Sequence, residues 1–246
     1  MKKLVAYITS GYPEKSFSID LALALHENGV DTLELGIPFS DPVADGPLIE
    51  KANQRALELG FKFEHLLEIS KAIAPKVDTL WMGYFNSFYQ HNMQKLIPLA
   101  REIGVNGFII PDLPYEESLA YSSLFDTNNL ANISFVAPTD SEARIHKIVS
   151  DAKKFIYMVA YTGITGSGAA EDLQPILRTI KKYTQTPVYV GFGVNEKTAK
   201  EKVRGADGVI VGSAFVSILL DEKLGYEEKI KNCSKLAQII KSEINS

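Results

Sequence analysis

The chain of 246 residues has a single cysteine, Cys233, which excludes an intrachain disulfide. No uncharged apolar run reaches 18 residues, so we expect no transmembrane helix and no membrane partner. Lys and Arg number 26 against 30 Asp and Glu, which gives a formal net charge of −4. Without a basic block, the chain is a poor candidate for nucleic-acid binding. One cysteine fits a reducing compartment, and we expect a cytoplasmic protein.

Histidine is also scarce, and its distribution argues against a metal site. The four histidines are His26, His65, His91 and His146. None of them has metal-ligand spacing to another, so no metal is assigned.

The chain does contain eight short, β-branched apolar runs at regular intervals. Most are continuous rather than alternating, which is typical of parallel strands that are buried on both faces. The runs are Leu4–Thr9, Thr32–Ile37, Thr79–Tyr84, Gly107–Asp112, Ile133–Pro138, Phe155–Ala160, Pro187–Gly193 and Gly208–Gly212.

Stretches with helical spacing lie between these runs, among them residues 116–126, 141–150, 172–183 and 196–203. Eight strand–helix units of about 25 residues predict a (β/α)8 TIM barrel, with 1–246 as a single domain. The alternative is a doubly wound open sheet, which usually has a glycine-rich turn after its first strand. Residues 9–13, Thr-Ser-Gly-Tyr-Pro, are no such turn.

The second run contains a glutamate, Glu34, among large aliphatic residues. Side chains alternate along a strand, so Leu33 and Leu35 share one face and Glu34 points to the other, into the barrel. Burial raises the pKa of a carboxyl, as suits a group that both gives and takes a proton. An outward or salt-bridged glutamate is the alternative on the pattern alone.

A loop rich in proline, aspartate and glycine follows, Pro38–Pro47. It brings Asp41 and Asp45 to the same end of the barrel as Glu34, the end where barrel enzymes have their active sites. Either aspartate could instead cap a turn.

Glycine turns follow the last two runs, at residues 191–193 and 212–214. Barrels often bind phosphate here through backbone N–H groups and a short extra helix, which we expect at residues 214–220. Plain turn glycines are the alternative. Residues 163–168, Gly-Ile-Thr-Gly-Ser-Gly, could form a mobile loop over the site or an ordinary surface loop.

Long motifs in this sequence resemble the tryptophan synthase alpha chain family. Residues 33–47 resemble its signature, and further matches follow in family order over nearly the whole chain, at residues 7–13, 84–86, 111–118, 163–166, 191–193 and 212–214. The family cleaves indole-3-glycerol phosphate to indole and glyceraldehyde 3-phosphate. The resemblance implies that Glu34 is the acid–base glutamate and Asp45 the indole-binding aspartate.

The resemblance also implies the remaining substrate contacts. Tyr157 would reach the glycerol phosphate, and Thr165 would close the loop over it. The implied phosphate-binding residues are Gly166, Gly193, Gly212 and Ser213. An apolar, flat pocket is required for indole, and its candidates, each of which could equally be core, are Tyr7, Met82, Ile110 and Phe192.

The family works with a beta chain in an α2β2 complex, and pyridoxal phosphate is expected there rather than in this chain. By resemblance, Pro38–Pro47 and Pro111–Ser118 would face that partner. Most relatives have an extra helix before the first strand, so we expect a less covered barrel floor here. Two other hypotheses are a phosphate-binding isomerase barrel and a non-catalytic subunit that binds indole-like ligands.

Overall fold

Parallel β-strands form one continuous sheet in the computed structural model, which describes residues 1–160 and 172–246. The strands are β1 (Lys3–Thr9), β2 (Thr32–Gly36), β3 (Asp78–Met82), β4 (Gly107–Ile109), β5 (Ala131–Asn132), β6 (Ser134–Val136), β7 (Ile156–Val159), β8 (Val188–Gly191) and β9 (Gly208–Val211). Their spatial order is β5-β4-β3-β2-β1-β9-β8-β7-β6.

The two ends of this order are consecutive pieces of one strand. β5 pairs with β4 and β6 pairs with β7, and one residue, Ile133, separates the two pieces. The amide of Ile133 donates to the carbonyl of Phe108 in β4 at 2.9 Å. The sheet therefore closes into a barrel with eight strand positions, which confirms the predicted (β/α)8 TIM barrel.

Helices connect the strands. They are α1 (Lys15–Glu27), α2 (Pro47–Glu58), α3 (Phe63–Ile73), α4 (Phe85–Tyr89), α5 (Met93–Ile103), α6 (Tyr115–Ser118), η1 (Leu119–Tyr121, a 3₁₀ turn), α7 (Ser122–Thr127), α8 (Glu142–Val149), α9 (Gln174–Tyr183), α10 (Ala199–Lys202), α11 (Ser213–Leu220) and α12 (Tyr226–Glu243). In the part of the chain that the structure describes, none of them has the length and apolar character to cross a membrane.

Two predicted helices differ from those observed, and side-chain hydrogen bonds account for both. The predicted helix 116–126 is divided into α6, η1 and α7, where the hydroxyls of Ser118 and Ser122 donate to nearby backbone carbonyls. The predicted helix 196–203 is shortened to α10. The Asn195 side chain accepts the amides of Lys197 and Thr198 and holds this segment in a turn instead.

Inside the barrel, tyrosine rings occupy the space above glycines on neighbouring strands. A Cβ atom at Gly36 would lie 2.3 Å from the ring of Tyr7, and a Cβ at Gly191 would lie 2.3 Å from the ring of Tyr157. Any larger residue in place of either glycine would displace the ring beside it. The missing side chains of Gly36 and Gly191 therefore leave the space that the rings of Tyr7 and Tyr157 occupy inside the barrel.

The amino-terminal ends of the strands form the barrel floor, and they hold a polar cluster that we call the floor cluster: Thr32, Asp78, Asn106 and Lys154. The Lys154 ammonium lies 2.8 Å from both carboxylate oxygens of Asp78, at the start of β3. Thr32 and Asn106 each donate to the same carboxylate at 2.7 Å. All acceptor positions of this carboxylate are thus used, and the cluster ties the start of β2 and β3 to the segments that lead into β4 and β7.

We predict that Lys154→Met lowers the free energy of unfolding by about 1–3 kcal/mol, because it leaves a partly buried Asp78 carboxylate without its cation. The matched control is Lys153→Met, which removes an exposed pair with Asp126 and should cost less than about 1 kcal/mol. Urea unfolding measures both. Equal losses would show that the floor cluster contributes no more than a surface ion pair.

Candidate active site

A cavity of about 1400 Å³ opens at the carboxyl ends of the strands. The predicted site residues that line it are Tyr7, Glu34, Asp45, Met82, Tyr157, Phe192, Gly193, Gly212 and Ser213. Ile110 is buried but is not among the lining residues, and Ile109 takes that place. Thr165 and Gly166 lie outside the described residues.

Glu34 lies in the barrel interior and is only 3% exposed. It is in register with Tyr7 on β1 and Leu80 on β3. Its Oε1 atom has no hydrogen-bond partner among the residues that the structure describes. Burial, and secondarily the nearby Asp45 carboxylate, raise the pKa of Glu34 to about 8. Glu34 is therefore protonated at neutral pH and holds a proton that it can transfer.

Asp45 reaches the same cavity from the loop between β2 and α2. Burial raises its pKa to about 6, while hydrogen bonds from Tyr84 and Asn53 oppose this rise. The loop itself is held by the Ala44 amide, which donates to the Tyr84 hydroxyl at 3.0 Å. The Tyr84 ring stacks on Phe39 with ring centroids 5.2 Å apart. At neutral pH Asp45 is therefore mainly ionised beside a protonated Glu34.

The two glycine turns face the cavity where the phosphate was expected. Phe192 and Gly193 have positive φ angles of 70° and 68°, so the chain turns sharply after β8. Helix α11 begins at Ser213, and the amides of a first helical turn have no partner within the helix. A Cβ at Gly212 would lie 3.1 Å from the Ile49 side chain. This arrangement offers backbone donors and a helix dipole to an anion.

Aromatic side chains form one wall of the cavity. The ring of Tyr157 stacks on Phe135, with centroids 4.9 Å apart, and meets Phe192 at 6.1 Å. Phe192 is 39% exposed and lies at the mouth. Such a wall suits a flat aromatic ligand.

Three residues without a predicted role also belong to this site: Phe135 lines the cavity, and Tyr84 and Asn53 donate to Asp45. Strand alternation could have found Tyr84, since it lies two residues beyond the inward Met82. Asn53 carries no such signal, because it lies on α2 and its direction depends on how that helix packs over the barrel. Within residues 1–160 and 172–246, no group of three His, Cys, Asp or Glu side chains could hold a metal ion.

A family model for the tryptophan synthase alpha chain matches residues 1–245. The tryptophan synthase alpha chain of Wolinella succinogenes is 54% identical over 247 residues, which cover 100% of this chain and 97% of the relative. The chain belongs to the tryptophan synthase alpha chain family.

Solved structures agree with this assignment. Tryptophan synthase subunit alpha from Campylobacter jejuni has a TM-score of 0.86 at 33% identity, covering 96% of this chain and 95% of that one. A tryptophan synthase chain from Mycobacterium tuberculosis has a TM-score of 0.89 at 29% identity, covering 100% and 93%. The resemblance drawn from the motifs is confirmed. As a member of the family, the chain is a carbon–carbon lyase of tryptophan biosynthesis that cleaves indole-3-glycerol phosphate.

We predict that Glu34→Gln stabilises the protein increasingly as the pH rises. Because folding raises the pKa of Glu34 from 4.5 to about 8, the folded state holds more protons between these values and loses stability as the pH rises through them. Glutamine has no proton to lose. The stability difference should therefore grow between pH 5 and 8, by at most about 1.4 kcal/mol per pH unit, and then level off.

Urea unfolding of both proteins at several pH values measures this difference. Glu64→Gln, at an exposed position on α3, is the control and should change stability by less than about 0.5 kcal/mol. A Glu34→Gln difference that stays constant from pH 5 to 8 would contradict a buried, protonated Glu34.

Proposed function

We propose that Glu34 and Asp45 carry out the cleavage of indole-3-glycerol phosphate in this chain. The observation that carries the proposal is that two carboxyls, the buried Glu34 and the partly buried Asp45, line one cavity together with the glycine turns after β8 and β9. Their raised pKa values, about 8 for Glu34 and about 6 for Asp45, make Glu34 the acid and Asp45 the anion at neutral pH. The turns supply backbone donors for the phosphate.

The reaction begins with proton transfer from Glu34 to indole C3, which leaves positive charge on the ring nitrogen. The Asp45 carboxylate accepts the N–H hydrogen bond and stabilises that charge. The bond between C3 and the glycerol carbon then breaks, and its electron pair restores the aromatic indole. The hydroxyl on the departing carbon loses its proton to the Glu34 carboxylate as the aldehyde forms. Glu34 is thereby returned to its protonated state.

The other walls would position the substrate for this proton transfer. We propose that Gly193, Gly212 and Ser213 hold the phosphate and that Tyr157 contacts the glycerol phosphate. Tyr7, Met82 and Phe192 then surround the indole ring. Thr165 and Gly166 remain proposed contacts from the family resemblance. These steps use side chains of this chain alone, and pyridoxal phosphate would belong to the partner beta chain.

We predict that Glu34→Gln and Asp45→Asn each reduce kcat for cleavage by at least about 10²-fold. The first removes the transferable proton and the second removes the negative charge. Release of free indole from indole-3-glycerol phosphate measures the rate. Glu64→Gln, exposed on α3, is the control and should retain near-wild-type activity.

Family membership has already decided against the isomerase and the non-catalytic subunit. The same assay therefore tests the roles of the two residues. Near-wild-type turnover by Glu34→Gln would remove Glu34 from the mechanism, and an effect of Asp45→Asn on KM alone would contradict its role.

We also propose that the chain acts in the cytoplasm in an α2β2 complex with a beta chain, which receives the indole. Apolar side chains on the rim around the cavity support a docking surface, which we call the rim patch: Phe85, Tyr89, Leu119 and Tyr121. Tyr89 is 60% exposed and Leu119 is 43% exposed. The ring of Phe85 lies 5.4 Å from Tyr89 and 5.6 Å from Tyr121. The Phe85 amide donates to Asp112 in the predicted partner segment Pro111–Ser118. Tyr84, which precedes Phe85, stacks on Phe39 in the other predicted segment, Pro38–Pro47.

We predict that the cognate beta chain raises the cleavage rate and that Tyr89→Lys reduces this activation at least about tenfold, because a lysine in the docked patch would be desolvated. The isolated variant should cleave like the isolated wild type. Tyr183→Lys, at the end of α9 on the opposite side of the barrel, is the matched control and should be activated normally. Equal activation of both variants would place the partner elsewhere.

A further inference from the structure

Asn53 lies in the middle of α2, on the helix face that covers the cavity, and is 1% exposed. Its Nδ2 group donates to Asp45 Oδ2 at 3.3 Å. Its Oδ1 atom accepts from the Tyr7 hydroxyl at 3.4 Å. A buried amide side chain with both ends in use is held in one orientation.

The chemistry of the partners determines that orientation. An ionised carboxylate can only accept, so the amide must turn its NH₂ group toward Asp45. Its carbonyl oxygen then faces Tyr7, and Tyr7 must donate. The hydrogen-bonded series Tyr7–Asn53–Asp45 therefore connects two elements. One is β1, which pairs with the strand that carries Glu34, and the other is the loop that carries Asp45.

We propose that Asn53 is a positioning residue for cleavage: it occupies Asp45 Oδ2 so that the ionised carboxylate is held with its other oxygen directed at the indole N–H. The inference rests on the role proposed for Asp45. Tyr84 is the second donor to this carboxylate, from the segment after β3. Asn53 differs in that it also fixes the direction in which Tyr7 donates.

Several titratable groups face Asp45 from the surrounding elements and set the background against which Asn53 acts. They are Glu34 on β2, Glu50 on α2, Tyr7 on β1, Tyr84 after β3 and Tyr157 on β7. The carboxylates among them disfavour the ionised form of Asp45, and the donors favour it. Loss of the Asn53 donor must therefore shift Asp45 toward its protonated form.

The experiment compares wild type, Asn53→Ala and Asn53→Asp by the pH dependence of indole release. Wild-type kcat/KM should rise through about pH 6 as Asp45 ionises. In Asn53→Ala this acidic limb should move to higher pH, and kcat at pH 7.5 should fall about tenfold. In Asn53→Asp the limb should move further, because a second carboxyl replaces the donor. The substrate phosphate also titrates near pH 6, but equally in all variants.

A measurement that does not depend on activity completes the test. Carbon NMR follows the titration of the Asp45 carboxyl in the ligand-free protein. In Asn53→Ala the midpoint of this titration should lie at higher pH than in the wild type. Gln54→Ala is the matched control: Gln54 is the next residue of α2, is exposed and donates to Glu58, so neither the limb nor the titration should move. A variant that was merely less stable would lose activity equally at all pH values.

Assaying Asp45→Asn in parallel distinguishes a failure of the positioning role of Asn53 from a failure of the proposed function. If Asp45→Asn is inactive and Asn53→Ala has a wild-type pH profile and titration, the positioning role is wrong while the proposed function stands. If Asp45→Asn remains active, the proposed function itself fails. Additive effects in the double variant Asp45→Asn/Asn53→Ala would also overturn the proposal, because a residue that acts through Asp45 has no effect once the carboxylate is gone.

Discussion

The site depends on one constraint, a carboxyl group enclosed in the barrel with no cation beside it in the part of the chain that the structure describes. Glu34 is 3% exposed, and its Oε1 atom has no partner among the described residues. Enclosure of a charged carboxylate is costly, so the group keeps its proton at pH values where an exposed glutamate has lost it. The same burial that lowers the stability of the fold at high pH supplies the proton for cleavage. Stability and reactivity are therefore opposed at this residue.

The barrel places the groups that stabilise the fold and the groups that react at opposite ends. At the floor, Asp78 is fully paired with Lys154, Thr32 and Asn106, so its charge is compensated. Toward the carboxyl-terminal end of the barrel interior, Glu34 has no cation beside it among the described residues, and its pKa rises instead. This division agrees with the general pattern in which the amino-terminal face of such barrels serves stability and the carboxyl-terminal face serves chemistry.

Side-chain alternation predicts which strand residues point into the barrel. It does not predict the direction of a helix residue, which depends on how the helix packs on the barrel. The alternation Leu33, Glu34, Leu35 favours an inward Glu34, and the burial of this side chain decides against the outward alternative. The barrel follows from eight regular units. Ile110, a pocket candidate that could equally be core, is buried in the core. The register of β4 pairs Gly107 with Leu80 and Ile109 with Met82, so Ile109 lines the cavity instead. The direction of Asn53 depends on the packing of α2 over the barrel, which no local pattern encodes.

The roles of the two carboxyls follow from what surrounds each of them. Burial raises the pKa of both carboxyls. Asp45 nevertheless receives hydrogen bonds from Tyr84 and Asn53, while Oε1 of Glu34 receives none from the described residues. Donors favour the ionised form, so Asp45 ionises near pH 6 and Glu34 near pH 8. Between these values the pair holds one proton, and the deeper burial of Glu34 together with the donors to Asp45 places it on Glu34. Burial and the neutral side chains around Asp45 therefore determine together which carboxyl acts as the acid.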